Sequence, residues 1–266
     1  MTTPALGLLD QYEEYLRNRK YPGLDSWPLM RDTGPWPIIS ILSAYLLFVL
    51  KIGPQFMANR KPYNLQPLIV VYNLFLVLFS GFLSIWPFFN GVATWYINDC
   101  HPKEKQPIRI FYLATVFGYL FFLSKIVELA DTVFFVLRKK DSQISFLHLY
   151  HHTLTLIYSW VHMNYIPGAQ GVIVAYLNSV AHVFMYTYYM LSAMGPRLRK
   201  YLWWKKYITW IQLIQFCLML SYMIGSLAFD CDQPKGLSIY FIFISGVFLC
   251  LFSNFYRKTY TKKIKK

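Results

Sequence analysis

The sequence predicts an all-α integral membrane protein with seven transmembrane helices, folded as one membrane-embedded domain over residues 1–266. Three observations carry that expectation. Of 266 residues, 56% are hydrophobic, 20% aromatic and only 14% charged, far more apolar than a water-soluble domain of this length requires. Seven mostly apolar segments lie between the charged stretches, and segments of about 17 to 25 such residues can cross a bilayer. Lysine and arginine alternate between rich and poor loops, as orientation in a membrane demands.

The spans fall at 36–52, 67–89, 110–137, 145–163, 171–194, 207–229 and 237–256. Before the first, Asp10, Glu13, Glu14, Arg17, Arg19 and Lys20 replace the basic start and apolar core of a cleavable signal, so the first span is expected to serve as the targeting signal. No internal repeat, low-complexity tract or long linker divides the chain.

With seven spans, the loops at 51–61, 138–140 and 197–206 and the tail from Arg257 carry seventeen Lys and Arg, and the opposite set carries eight. Positive loops stay cytosolic. The amino terminus is therefore expected in the lumen or exterior and the carboxyl terminus in the cytosol. Cys100 and Cys231 lie in the second-to-third and sixth-to-seventh loops, both on the non-cytosolic side. A disulfide between them can persist there, whereas Cys217 and Cys250 lie within spans and are expected to pack as small hydrophobes.

Polar groups inside a span cost several kcal/mol at about the bilayer centre, so each is a functional candidate. At the helical rise, Asp131, Glu128 and Lys125 lie roughly 9, 14 and 18 Å from the cytosolic end of the third span. The fourth span places His148, His151 and His152 within roughly its first 10 Å. The fifth carries Asn178 and His182 one turn apart, with Tyr186, Tyr188 and Tyr189 beyond, and the sixth carries Thr209, Gln212 and Gln215 at spacings of three. Four helices thus converge polar groups on one level of the cytosolic half. The luminal stretches 110–119, 171–177 and 216–224 are almost wholly apolar. A cavity polar and basic-rimmed at one end and greasy at the other suits a ligand with an anionic head and a lipid tail. Acyl-CoA is such a ligand, with Arg138, Lys139 and Lys205 placed for its phosphates. Lys125 with Glu128 also reads as a charge pair that makes insertion tolerable.

His148, His151 and His152, at i, i+3 and i+4, fall within about 100° of arc. Imidazoles so grouped bind a metal, move protons or act as nucleophiles, and spacing alone does not separate these. Of six histidines in the chain, His101 sits in a luminal loop and His162 near a helix end, leaving four. A single metal on four histidines stays open, but a di-iron desaturase or hydroxylase needs several clusters.

FLHLYHH from Phe146 resembles the HxxHH box of the fatty acid elongases, the membrane 3-ketoacyl-CoA synthases of very-long-chain lipid synthesis. NRKPY from Asn59, KIVELADT from Lys125, LRKK from Leu137, NSVAHVFMYTYY from Asn178 and TWIQLIQ from Thr209 match the same family in order, and YLWWKKYIT resembles its animal branch acting on saturated and monounsaturated chains. The resemblance implies an enzyme of the endoplasmic reticulum membrane in which helices two to seven form a barrel around an acyl tunnel closed at the luminal end. It implies condensation of an acyl-CoA with malonyl-CoA to a 3-ketoacyl-CoA, CO2 and CoA, with no metal or redox cofactor. His151 is then the expected nucleophile, or in a direct condensation only a base, and His182 its partner across the cavity, with His148 and His152 orienting or polarising. Glu128 and Asp131 fix imidazole tautomers, and Asn178, Gln212 and Gln215 bond the thioester or enolate oxygen. Lys125, Tyr186, Tyr188 and Tyr189 complete the expected substrate-binding set. Acyl-CoA, malonyl-CoA and membrane lipid are the expected partners, with the ketoreductase, dehydratase and enoyl reductase of the cycle and a homo-oligomer left open. Nucleic acid is not among them.

Three rivals remain on the sequence alone: a seven-span lipid receptor, a transporter and a metal-dependent lipid oxidase. The chain has no N-x-Ser/Thr sequon, its intramembrane polarity gathers on the cytosolic side, and it lacks the repeat symmetry of a transporter.

Overall fold

The computed structural model describes residues 27–30, 33–98, 107–166, 171–229, 231 and 235–261. Among these the regular structure is entirely helical. The long helices are α1 (Trp36–Met57), α2 (Gln66–Phe89), α4 (Ile108–Leu137), α5 (Phe146–Tyr165), α6 (Gly171–Ala193), α7 (Lys205–Ala228) and α8 (Lys235–Tyr256). A short helix, α3 (Val92–Asn98), occupies a stretch expected to be loop.

Five of these helices are long and apolar enough to cross a membrane: Trp36–Met57, Gln66–Phe89, Ile108–Leu137, Lys205–Ala228 and Ser238–Thr261. The expected seven thus include two, α5 and α6, that are long enough but fall short in apolarity. These two carry five histidines, Asn164, Asn178 and ten tyrosines and serines between them, so the shortfall is the polar cluster itself. α1 also runs further than expected, because Phe48–Ile52 widens into a π-helical turn and the chain continues helically through Met57.

α2 lies along α6, α6 packs on α7, α7 on α8, α8 on α5, α5 on α4, and α4 on both α2 and α6. α1 packs on α5 and on the last turns of α4. Three apolar clusters hold the helices. Ile38, Leu42, Val49 and Met57 of α1 meet Phe122, Val136, Leu156 and Trp160. Leu83, Phe117, Phe121 and Val172 join α2, α4 and α6 with Val92 and Tyr96 of α3. Phe216, Met219 and Met223 of α7 meet Val174, Phe241 and Phe248. Large apolar side chains such as Phe75, Leu78, Ile85, Leu218 and Phe243 are exposed on the outside, the distribution a hydrocarbon solvent favours and water does not. Cys217 and Cys250 are likewise exposed free thiols rather than buried small hydrophobes, because their helices turn them outward. The expected Cys100–Cys231 bridge falls on Cys100, outside the described residues.

Two local devices aim the functional side chains. Ser145 caps α5, its hydroxyl accepting from the His148 backbone N–H at 3.2 Å, which satisfies an orphan donor of the first turn and fixes where the histidine face begins. In α4 the pattern tightens around Leu129, where Leu129 N–H donates to Ile126 O and Thr132 N–H to Leu129 O, each three residues apart. Such a tightened turn rotates the C-terminal part of the helix relative to its N-terminal part, so Glu128 and Asp131 do not face the same neighbours.

α1 is seated on α4 by a close approach at Gly53. A Cβ there would lie 2.7 Å from Val136 Cγ1 and 2.8 Å from Phe48 O, a branched side chain and a backbone atom that yield little. Gly81, in the middle of α2, has no heavy atom within 4 Å of that position. Gly53→Ala is expected to cost about 1–3 kcal/mol through overpacking and to lower the thermal unfolding midpoint of the detergent-solubilised chain. Gly81→Ala should be neutral or stabilise by up to about 1 kcal/mol. Equal midpoints for the two variants would show that α1 is not seated there.

Candidate active site

A cavity of about 760 Å³ opens among α2, α4, α5, α6, α7 and α8, within the range of small-molecule sites. Its mouth is at the basic end of the bundle, where Gln66, Arg138, Lys140, Ser142, Gln143, Lys205 and Tyr260 line it. Deeper in, His148, His151, His152, His182, Asn178, Asp131, Gln212 and Gln215 share the wall. Four histidines from two helices are thus brought to one space.

Among the described residues, the opposite half of the bundle is closely packed around Gly118 and Gly171. Gly118 faces the Met163 thioether, whose sulfur would lie 2.7 Å from an added Cβ, and Gly171 abuts the His162 ring. A residual cavity of about 20 Å³ remains beside them. Around Met163 and His162, among the described residues, the expected greasy space is there as residue type but is filled by side chains, as close-packed interiors are. Opening it requires movement, and Met163, unbranched and flexible, is the side chain best suited to give way.

Lys125 and Glu128 do not line the cavity; they stand behind its wall, 2% and 1% exposed. Lys125 Nζ lies 2.7 Å from Glu128 Oε1 and donates to Asn178 Oδ1 at 2.8 Å. The same carboxylate oxygen accepts from Ser124 Oγ at 3.3 Å and sits 3.2 Å from His182 Nδ1. Lys125 Nζ lies 3.5 Å from the same nitrogen, but the carboxylate is nearer, and a carboxylate on one ring nitrogen favours the tautomer in which His182 donates through Nδ1, with Nε2 free of bonds to described residues. Asn178, with Oδ1 taken by Lys125, has its amide N–H left for a ligand.

Asp131 Oδ2 accepts from Tyr186 O–H at 2.9 Å. Tyr186 is fully buried behind the wall, while Tyr188 and Tyr189 line the cavity. Within the histidine face, His148 and His152 have ring centroids 4.3 Å apart, and His148 Nε2 lies 2.8 Å from Thr132 Oγ1. His151 packs edge-on against Phe248 of α8, centroids 5.2 Å apart. Its ring makes no hydrogen bond to a described residue, so both nitrogens are left for a ligand.

Lys139 is turned away from the cavity. Its backbone adopts φ 52° and its Nζ donates to Ala58 O at 3.1 Å, tying the 138–140 corner to the end of α1. Gln212 and Gln215 make only weak contacts to the sulfurs of Met185 and Met219, readily exchanged for a ligand oxygen. Asn73 of α2, which the sequence reading passed over, also lines the cavity; its Nδ2 donates to Ile69 O while Oδ1 has no partner. An amide inside an apolar span was the signal that would have found it. Among the described residues, no three His, Cys, Asp or Glu side chains are grouped to hold a metal ion.

Residues 30–266 match the ELO family, described as the GNS1/SUR4 family. The chain is 41% identical to human very long chain fatty acid elongase 4 over 91% of its length and 76% of that protein. It is 40% identical to mouse very long chain fatty acid elongase 1, covering 96% of this chain and 91% of the mouse protein. With the rat very long chain fatty acid elongase 7 it shares 39% identity over 94% and 89% of the two chains. On a match over nearly all of its length and relatives at about two identical residues in five, the chain belongs to the ELO family.

Proposed function

We propose that this protein catalyses the condensing step of fatty acid elongation, joining a long-chain or very-long-chain acyl-CoA to malonyl-CoA. The observation that carries the reading is the meeting of His148, His151, His152 and His182 in one cavity with a basic mouth. The relatives named as very long chain fatty acid elongases point to the same substrate class.

In the first half-reaction His151 attacks the thioester carbonyl. A nitrogen–carbon bond forms and the carbon–sulfur bond breaks. The proton lost by the imidazole passes by way of His182 Nε2 to the departing thiolate, giving an acyl-imidazole and CoA. Malonyl-CoA then loses CO2 as its carbon–carbon bond breaks, leaving an enolate whose carbon attacks the acyl group. The imidazole of His151 is expelled and takes up a proton from water entering at the mouth, and a 3-ketoacyl-CoA two carbons longer is released. Protonated His182 with Glu128 behind it, the Asn178 amide and the Gln212 and Gln215 side chains are the donors for the developing oxyanions.

The architecture supports this reading. Following packed neighbours from α2 through α6, α7, α8, α5 and α4 leads back to α2, as a six-helix barrel around the cavity with α1 outside would require. On this reading α5 and α6 also span, giving seven, and the basic mouth faces the cytosol of the endoplasmic reticulum while the packed half faces the lumen. The acyl tail would enter that half by displacing Met163 and its neighbours.

Purified protein supplied with radiolabelled malonyl-CoA and a ladder of acyl-CoAs is expected to form 3-ketoacyl-CoA. Intact mass after acyl-CoA alone should show a hydroxylamine-labile adduct that His151→Ala abolishes. Absence of label incorporation at any chain length sinks the enzyme reading, and an unchanged mass under saturating substrate sinks the covalent step. At the mouth, Arg138→Ala and Lys205→Ala are expected to raise KM for acyl-CoA with kcat little changed, whereas Lys139→Ala should leave KM where it was. Equal loss in kcat would reject phosphate contact by Arg138 and Lys205.

A further inference from the structure

One helix stands apart from the cavity yet reaches it through a chain of hydrogen bonds. Tyr45 lies on α1, which contributes no residue to the cavity lining, and is buried at 6% exposure. Its hydroxyl lies 2.8 Å from Thr132 Oγ1, and Thr132, fully buried in α4, lies 2.8 Å from His148 Nε2. Neither Tyr45 nor Thr132 lines the cavity; His148 does.

Counting donors sets the order of protons along this chain. If His148 donated through Nε2 to Thr132, and Thr132 to Tyr45, the Tyr45 proton would need a further acceptor, and among the described residues Tyr45 O–H has no other partner. An unmatched hydroxyl among apolar side chains is costly. In the other order Tyr45 donates to Thr132 and Thr132 donates to His148 Nε2, so every proton meets an acceptor. His148 then carries its proton on Nδ1, the ring nitrogen left for the cavity.

The seating of α1 points the same way. Immediately after Tyr45 the helix passes into the π-helical turn at Phe48–Ile52, a feature often found at functional sites, and Gly53 then abuts Val136, one turn beyond Thr132. The two contacts fix the position of α1 along α4 to within a side chain.

We propose that Tyr45 and Thr132 are positioning residues that hold His148 as a fixed Nδ1–H donor into the cavity, so that the first helix is part of the working site. His148 then serves neither as nucleophile nor as base; it donates a hydrogen bond to the carbonyl oxygen that gains charge when the thioester is attacked. This role rests on the condensation reading above, but the tautomer does not.

The test uses the full-length protein in lipid nanodiscs with Tyr45→Phe, Thr132→Val, Thr132→Ser and the Tyr45→Phe/Thr132→Val double variant. Thr132→Val is nearly isosteric and Thr132→Ser keeps the hydroxyl. Thr132→Val and Tyr45→Phe are expected to lower kcat about tenfold or more, as loss of a group that orients an active imidazole does, with KM for both substrates unchanged. Thr132→Ser should restore kcat, and the double variant should be no worse than Thr132→Val alone. Wild-type kcat in Thr132→Val, a loss that serine does not rescue, or additive losses would overturn the proposal. Nitrogen-15 spectra of histidine-labelled protein, with the His148 signals identified by their loss in His148→Gln, give the second readout. The wild type should show Nδ1 protonated, and Thr132→Val a mixture of tautomers. A wild type protonated at Nε2 overturns the proposal whatever the activity. Failure of the wild type to condense acyl-CoA with malonyl-CoA while His148 is protonated at Nδ1 would instead remove the condensation reading and leave the positioning claim standing.

Discussion

The burial of Lys125 beside Glu128 is the constraint on which the rest of the site depends. Either charge alone among apolar helices would cost several kcal/mol, so neither is tolerable without the other, and the pair closes at 2.7 Å. The lysine still has donors to spend after binding Glu128, and it spends one on Asn178 of α6. The carboxylate still has lone pairs, and His182 of α6 takes one. α4 and α6 are thereby locked in one register, because a slip of one residue would strand a charge. A pair of this kind contributes little net stability, but it selects one arrangement over its neighbours. The arrangement selected is the one that leaves His182 Nε2 free of bonds to described residues.

Around that lock the other helices supply shape. α8 presents Phe248 and Phe252 to the His151 ring, and aromatic edges hold an imidazole without consuming its nitrogens. α7 offers Gln212 and Gln215, whose contacts to methionine sulfurs are weak. Among the described residues, the far half of the bundle is packed around Phe117, Phe121, Met163 and their neighbours. The polar level is therefore a floor as well as a wall, and an apolar tail passing it must displace side chains, most readily the unbranched Met163 beside Gly118.

Much of this was legible in the chain. Segment length and apolarity placed α1, α2, α4, α7 and α8, and i, i+3, i+4 spacing put three histidines on one face. What could not be read was which side of a wall a residue takes. Lys125, Glu128 and Asp131 look alike on a helical wheel of α4, but the tightened turn at Leu129 puts the first two behind the wall and the third on it. Tyr186, expected among the lining tyrosines, is drawn back by Asp131. Lys139 belonged to a basic run suited to phosphates, but its positive φ turns it onto Ala58. Asn73 and Tyr45 were missed for a different reason: their partners lie on other helices or inside the cavity, and pairing at a sequence separation of 87 residues, as between Tyr45 and Thr132, leaves no local pattern. The same polar groups that identify α5 and α6 as the site hide them from a criterion of apolarity.

The three box histidines and His182 are one residue type on two helices, and it is their partners that make them chemically distinct. An imidazole has two nitrogens, and capping one assigns the task of the other. Glu128 caps Nδ1 of His182 and leaves Nε2 as an acceptor that becomes a donor once it has taken a proton. Thr132 caps Nε2 of His148 and leaves Nδ1. His152 is buried between its two box neighbours and shares the cavity wall with them. His151 keeps both nitrogens open, its contacts being ring edges and not hydrogen bonds, and among the described residues the same holds for the His152 ring. A nucleophile needs one lone pair free toward the substrate and one N–H to surrender; of the four, His151 and His152 meet both conditions without first breaking a bond that the fold has made, and of these two His151 is the less buried.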